Sequence, residues 1–400
     1  MRAMHVAVIG AGIVGLLTAA ELRARGHRVE IHAEGVADGA TFAAAGMLAP
    51  AAEIQVGQGP LWAIMREASQ AHRDLASRLA ARTSVDPGYR DDSTVMIGRD
   101  HADAAALRDL AEIQRSTGAA VRELTPRELR RLEPALARGI AGAQLIEHDH
   151  QVDPRRLAAA VQDILAGAGG PGDGPAVAIH RRRLTSLEEI DAERIVLAAG
   201  LGAGEIAGPH RRLGLALRPV HGDILRVRVP TSLLAPGEDN LVARTVRATV
   251  RGRSVYLVPR ADRHLVIGAT SREDDLAGTS TGGVHQLLQD AIEIAPSVRE
   301  TELVEVTTRA RPGTPDDLPL LGPVPGDDRV IVSTGYHRHG ILLSAWAAQR
   351  TAELLEDPAA PRSQLLDAVR PERFTIPPPT ASLPPSPVPS ATASSAQENP

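Results

Sequence analysis

Val6-Ala-Val-Ile-Gly-Ala-Gly-Ile-Val-Gly15 is an apolar strand that runs straight into three glycines, at positions 10, 12 and 15. Gly10 permits a tight turn, Gly12 lets a pyrophosphate near the backbone, and Gly15 lets the next helix pack closely; the helix N-terminus then favours phosphate charge. The flanks agree. An Ala/Leu-rich run predicts a helix from about Ile13 to Arg25, Gly26 can cap it, and Val29-Glu-Ile31 begins a second strand. Together they make a dinucleotide-binding opening, with an incidental glycine-rich turn as the weaker alternative. An acidic residue is expected about 20 residues on, to hold the ribose hydroxyls. Ala33 stands at that place and Glu34 follows it, so either Glu34 reaches the ribose or the contact is missing.

At 400 residues the chain exceeds one compact core, which predicts two domains. Hydrophobic residues make up 43% but aromatics only 2%, so Ala, Val, Leu and Ile must do the packing. A net charge of −5 with mixed signs leaves no basic footprint for nucleic acid. The absence of cysteine excludes disulfides, thiolate metal sites and attachment of a cofactor through cysteine. The N-terminal apolar stretch is too short and too glycine-punctuated to span a membrane, and reads as strand and helix rather than a signal peptide, so a cytoplasmic protein is expected.

Further along, Leu61 to Ala81, Asp103 to Thr117 and Pro126 to Leu132 have helical periodicity, and Thr94-Val-Met-Ile97 is strand-like. Asp153-Pro154 is an N-cap and first-turn pair that starts a helix to about Ala166, and Ile195 to Gly200 is a buried strand closed by a glycine suited to a second backbone approach. From Arg218 to Arg311 the strands alternate and the turns are short, as in an antiparallel sheet, with one helix from Ser280 to Ile294. Val330 to Ser333 returns to parallel-strand character. Residues 377–400 are Pro/Ser/Ala-rich with almost nothing to bury and read as a disordered tail.

Two C-terminal segments carry chemistry. In Arg311-Pro-Gly-Thr-Pro-Asp316 a guanidinium steadied by Pro312 and Gly313 can grip a carboxylate with paired donors, although an arginine beside a Pro-Gly turn also serves simply to support a loop. Ser333-Thr-Gly-Tyr-His-Arg-His-Gly-Ile-Leu-Leu343 lets backbone N–H groups approach a ring system before a helix starts near Ile341. His337 and His339 lack a carboxylate at ligand spacing, so no metal site is expected. Glu53 reads as an entrance residue or an ordinary solvated glutamate, and Asp316 and Asp317 as turn residues.

Ala43-Ala-Ala-Gly-Met-Leu-Ala-Pro50, Arg311-Pro-Gly-Thr, Leu318-Pro-Leu-Leu-Gly322 and Gly340-Ile-Leu-Leu343, in that order and spacing, resemble the glycine oxidases of the thiazole-biosynthesis type, within the D-amino-acid oxidase and sarcosine oxidase superfamily. The resemblance covers about residues 4–372. It implies an α/β protein with a Rossmann-like FAD-binding domain of the glutathione-reductase type (1–82, 149–217 and 312–372), interleaved with a mainly antiparallel α+β substrate domain (83–148 and 218–311). It implies non-covalent FAD held by Gly10, Gly12, Ile13, Val14 and Gly15, with Glu34 as the ribose acid. Ala40, Thr41, Ala45, Gly46 and Met47 would follow along the flavin, Leu184 at the adenine, Gly200, and Tyr336, His337, Arg338, His339, Gly340, Ile341 and Leu342 at the pyrimidine end. Arg311 matches a carboxylate clamp, Arg338 a second arginine near the substrate, and Tyr256 a tyrosine that hydrogen-bonds the carboxylate.

The implied reaction oxidises glycine, with sarcosine or small D-amino acids as further candidates, to an imine that gives glyoxylate and ammonia while dioxygen becomes peroxide. Thiazole synthase is the implied functional partner and a homo-oligomer the implied assembly. Ser254, Ser271, His337 and His339 depart from the better-known members, which leaves the substrate open. A D-amino-acid dehydrogenase serving a quinone, a demethylating sarcosine-type oxidase, and a non-catalytic nucleotide-binding protein remain as alternatives. Peroxide yield, formaldehyde release and bleaching by glycine without air would separate them.

Overall fold

A computed structural model describes residues 2–55, 57–358 and 363–374, so the tail read at 377–400 lies outside the described residues. β1 (His5–Ala11) runs into α1 (Ile13–Ala24) and returns as β2 (Arg28–Val36), with the left-handed Gly26 just after the helix. Short α2 (Ala40–Ala43) and β3 (Met47–Leu48) lead to the long α3 (Gly59–Ala80). Then come β4 (Thr94–Gly98), α4 (His101–Ser116), β5 (Val121–Glu123), α5 (Pro126–Leu132) and β6 (Gly142–Ile146). β7 (His150–Gln151), α6 (Pro154–Ala166), β8 (Ala178–Arg181) and β9 (Arg194–Leu197) follow, and the Asp153 carboxylate caps α6 by accepting from the Arg155 amide at 3.0 Å. β10 (Arg218–Arg228), β11 (Thr245–Val250), β12 (Arg253–Pro259), β13 (His264–Gly268), α7 (Thr281–Ile294) and β14 (Glu302–Gly313) come next. The described chain closes with β15 (Leu320–Val324), β16 (Asp327–Thr334), α8 (Gly340–Glu356) and α9 (Gln364–Ala368).

One sheet has the order β15-β16-β9-β1-β2-β8, parallel except for β15. Period-two alternation sends Val6 and Val8 into a core with α1, α3, α6 and α8, and Ala7 and Ile9 into the core on the opposite face. The second sheet runs β14-β10-β13-β12-β11-β4-β6-β5, antiparallel except where β4 lies parallel to β11. Its Val95, Val246, Leu257 and Ile267 pack under α7, which leaves the opposite face free to line a cavity.

Arg311-Pro-Gly does not form the expected turn. It ends β14, with Arg311 opposite Val220 and Pro312 opposite Pro219 on β10. Because β14 is an edge strand, a proline lacking its N–H costs no ladder bond there.

Candidate active site

A cavity of about 1180 Å³ lies between the two sheets. At one end stand Gly10 to Val14, where β1 turns into α1. Gly10 has a φ of +110°, and a Cβ there would fall 2.4 Å from the Ala198 carbonyl oxygen, so glycine is required for the close approach of the neighbouring strand. Gly200 instead borders open space within the cavity, and Gly12 lines it with only Thr41 Oγ1, 3.6 Å away, near the place of a Cβ. The Ile13 amide donates to Thr41 Oγ1 at 3.1 Å, leaving other N–H groups of the first α1 turn for an anion. His32, Ala33 and Glu34 at β2, with Leu184 across from them, line the same end.

The loop after α2 crosses the middle of the cavity and is held from behind. Arg260, 4% exposed, donates to the Ala45 carbonyl and, at 2.5 Å, to Gln151 Oε1; burial lowers its pKa to about 10, which still leaves it charged. Gly46, at φ +71°, accepts from the Val152 amide at 2.9 Å, and the buried Asp149 accepts from Ala51 and Ala52 amides at 3.1 and 2.7 Å. These anchors are far from the loop in sequence, and no motif pointed to Arg260 or Asp149.

Across the second sheet, register places Met96, Arg247, Tyr256, Gly268 and Ile224 side by side on one face. Gly268 makes room for the tyrosine, since a Cβ there would fall 2.3 Å from the Tyr256 hydroxyl. Gly222 does the same for Arg311, whose guanidinium atoms would lie 2.4–2.6 Å from an added Cβ. Arg311 is thereby folded into the cavity. Its Nη1 donates to the Thr270 carbonyl at 3.3 Å, and among the described residues no carboxylate pairs with it. Burial lowers its pKa and raises that of Tyr256, and guanidinium and phenol both offer hydrogen-bond donors to the cavity.

At the end of β16, His337 takes a positive φ of +44° and its Nδ1 lies 3.1 Å from Asp317 Oδ1. Asp317, read from sequence as a turn residue, also accepts from Gln58 at 3.1 Å, while Asp316 does form a local turn and binds Arg373 at 2.8 Å. His339 is buried at the N-terminus of α8, and burial lowers its pKa to about 3, which keeps the ring neutral.

A sequence-family model described as FAD dependent oxidoreductase matches residues 5–354. The chain belongs to this family. A glycine oxidase from Geobacillus kaustophilus (strain HTA426) is 33% identical over 362 residues, 88% of this chain and 92% of that protein. The Bifunctional protein ThiO/ThiG of Synechocystis sp. is 30% identical over 393 residues, which make up 95% of this chain and 56% of that protein. The crystal structure of the Geobacillus kaustophilus glycine oxidase superposes with a TM-score of 0.80 at 29% identity, covering 93% of this chain and 99% of that one. An L-proline dehydrogenase, at a TM-score of 0.72 and 16% identity, shows the shared fold alone.

FAD is the cofactor of this FAD dependent oxidoreductase, and the site fits it. The cavity exceeds the roughly 300–1000 Å³ of ordinary small-molecule pockets, it runs from Gly12 past Gly46 to Gly340, and it offers a helix N-terminus at each end. Of the residues assigned from sequence, Arg311, Tyr256, Arg338 and all the cofactor candidates but two line it. Gly15 does not: it packs against β1, where a Cβ would fall 2.0 Å from the Gly10 carbonyl oxygen. Leu342 is likewise off the cavity, its side chain 2% exposed in the core beneath α8.

Arg338, expected as a second arginine near the substrate, lines the cavity and is at the same time ion-paired. Its Nε donates to Glu53 Oε2 at 2.8 Å, while Arg247 pairs with Oε1 of the same buried carboxylate. Against the cost of burial, the two guanidinium groups hold Glu53 well below the usual carboxylate range. Glu53 is therefore no ordinary solvated glutamate. Arg247, an arginine within the apolar Thr245-Val-Arg-Ala-Thr-Val250, was the one visible sign of it. Because its pKa is depressed, the stability Glu53 adds is present above the ordinary carboxylate pKa and lost as pH falls through the folded value. Glu53→Gln should destabilise by about 3 kcal/mol, the lower end for a broken buried pair, since Arg338 is 35% exposed. Urea unfolding tests this, and an unchanged midpoint would remove Glu53 from the role.

Proposed function

We propose that this protein oxidises glycine and other unhindered amino acids with dioxygen as acceptor. The reading is carried by Arg311, a partly buried guanidinium without a carboxylate partner among the described residues, beside Tyr256 in the cavity that fits FAD. A substrate carboxylate supplies the missing partner, taking paired N–H donors from Arg311 and the phenol O–H of Tyr256. Fixing that end aims the Cα–H inward, so the main contribution of these residues is orientation. FAD, held by the residues of the α1 turn and the 40–47 loop, would supply a two-electron acceptor between the substrate and dioxygen. His339, neutral and buried, adds no charge that would repel an amine. With Arg338 and Arg247 tied to Glu53, Arg311 is the arginine beside Tyr256 that, among the described residues, keeps no carboxylate and can select an anion.

In this reading the sheet containing β1 forms the FAD-binding domain and the sheet containing β12 the substrate domain. Gly10, Gly12 and Val14 hold the pyrophosphate, Glu34 the ribose and Leu184 the adenine. Ala40, Thr41, Ala45, Gly46, Met47 and Gly200 flank the rest, and Tyr336 to Ile341 bound the flavin end. Glycine oxidase relatives support glycine as substrate, and the ThiO/ThiG relatives support the link to thiazole formation. The homo-oligomer and the cytoplasmic location stay part of the proposal. Among the described residues no helix is long and apolar enough to cross a membrane.

Peroxide should accumulate in step with glycine consumed under air, with sarcosine, D-alanine and D-proline ranked in the same assay. Flavin bleached by glycine with no peroxide on admitting air would instead favour the dehydrogenase, and formaldehyde from sarcosine would reveal demethylation.

A further inference from the structure

Away from the substrate pocket, at the edge of the six-stranded sheet, three adjacent parallel strands bring histidines around one carboxylate. His32 and His180 are register neighbours on β2 and β8, Glu30 precedes His32 by two residues and so shares its face, and His5 on β1 lies on that face too. His32 Nε2 stands 3.2 Å from Glu30 Oε1, His180 Nε2 stands 3.3 Å from Oε2, and His5 Nε2 stands 3.6 Å from Oε1. One ligand atom each from Glu30, His32 and His180 lie within 4.8 Å of one another. His32 is only 5% exposed, yet its Nε2 makes no hydrogen bond of acceptable geometry, and the same holds for His5 Nε2. The buried His32 Nε2 is thus held only by a poorly aligned contact to the Glu30 oxygen, and a cation between the nitrogens and the carboxylate would satisfy them together.

We propose that Glu30, His32 and His180 bind a zinc ion, with His5 beside the fourth position. Bonds of about 2.0–2.1 Å at tetrahedral angles place ligand atoms roughly 3.3 Å apart, and imidazole with carboxylate is a donor set zinc favours. The nitrogen–oxygen separations of 3.2 and 3.3 Å are near that length but run to the two different oxygens of Glu30, so one imidazole must shift toward a shared oxygen or the carboxylate must bind through both. The His32 and His180 rings, stacked with centroids 4.7 Å apart and 17° between planes, need only tilt to bring their nitrogens onto one ion. Arg182 works against the metal: its Nε donates to His32 Nδ1 at 3.2 Å, which suits the tautomer whose Nε2 carries the proton. Metal binding must release this bond and place the proton on Nδ1. The ion would tie the edge strand β8 to β2, beside the end of the cavity that His32 lines.

The test uses untagged, FAD-loaded full-length protein, stripped with chelator and titrated with zinc chloride against a chromophoric zinc indicator, with melting temperature read in parallel. One zinc per chain and a raised melting temperature are expected. His180→Ala, which alters a half-exposed side chain and should fold, is expected to weaken binding at least tenfold and to abolish the melting shift without changing flavin content. Arg182→Ala is expected to bind zinc more tightly than the parent. No stoichiometric binding, or an affinity indifferent to His180→Ala, would overturn the proposal, whatever the outcome of the glycine assay.

Discussion

Arg311→Ala is expected to lower kcat/KM for glycine by roughly 30-fold to 4,000-fold, because truncating one partner of a hydrogen-bonded charge pair costs about 2–5 kcal/mol and 1.4 kcal/mol is tenfold. FAD should stay bound. Arg311 sits on the second sheet, outside the α1 turn and the Arg260-anchored loop in sequence, and among the described residues its side-chain hydrogen bond goes to the Thr270 carbonyl. Arg311→Lys should fall between the two, since a lysine keeps the charge but loses the paired, planar donors. Steady-state kinetics beside the flavin absorbance decide the matter. A KM for glycine unchanged in Arg311→Ala would mean that the carboxylate is held elsewhere, and the proposed substrate class would lose its support.

Gly10→Ala should yield protein that is mostly free of flavin, or insoluble. The substitution forces an alanine to a φ of +110° and drives its Cβ to within 2.4 Å of the Ala198 carbonyl oxygen, which belongs to backbone and cannot swing aside. Backbone strain and overpacking each cost about 1–3 kcal/mol, a large share of a typical domain's roughly 5–15 kcal/mol. Relief requires β1 and the segment after β9 to separate, and that separation would open the turn that presents α1 to phosphate. The flavin-to-protein ratio of the purified variant measures the effect. A ratio equal to the parent's would show that the turn tolerates a side chain and that its glycine was incidental.

The nucleotide end was readable because its signal is local. Strand, glycine turn and helix lie within twenty residues, and each glycine answers a backbone demand made by its near neighbours in sequence or by one adjoining strand. Arg311 was legible as a carboxylate ligand from its chemistry, while its setting was not: Pro312 and Gly313 suggested a turn, and only the pairing of β14 with β10 shows an edge strand that tolerates proline. The Glu53 network was missed for a related reason. An isolated glutamate reads as solvated, and its burial depends on Arg247 and Arg338 arriving from 194 and 285 residues away. Arg260 behind Ala45, and His5 and His180 around Glu30, likewise had no motif to announce them.

By itself, then, the chain's order of residues determined the nucleotide-binding opening and the change from parallel to antiparallel strands, because periodicity and glycine spacing act over a few residues, while the family and its FAD came from the resemblance of whole motifs. Which arginine is left free for an anion, which is neutralised, and which braces a loop was decided only in three dimensions. Charge pairing depends on distance through space, and that distance is set by strand register between segments that composition cannot connect.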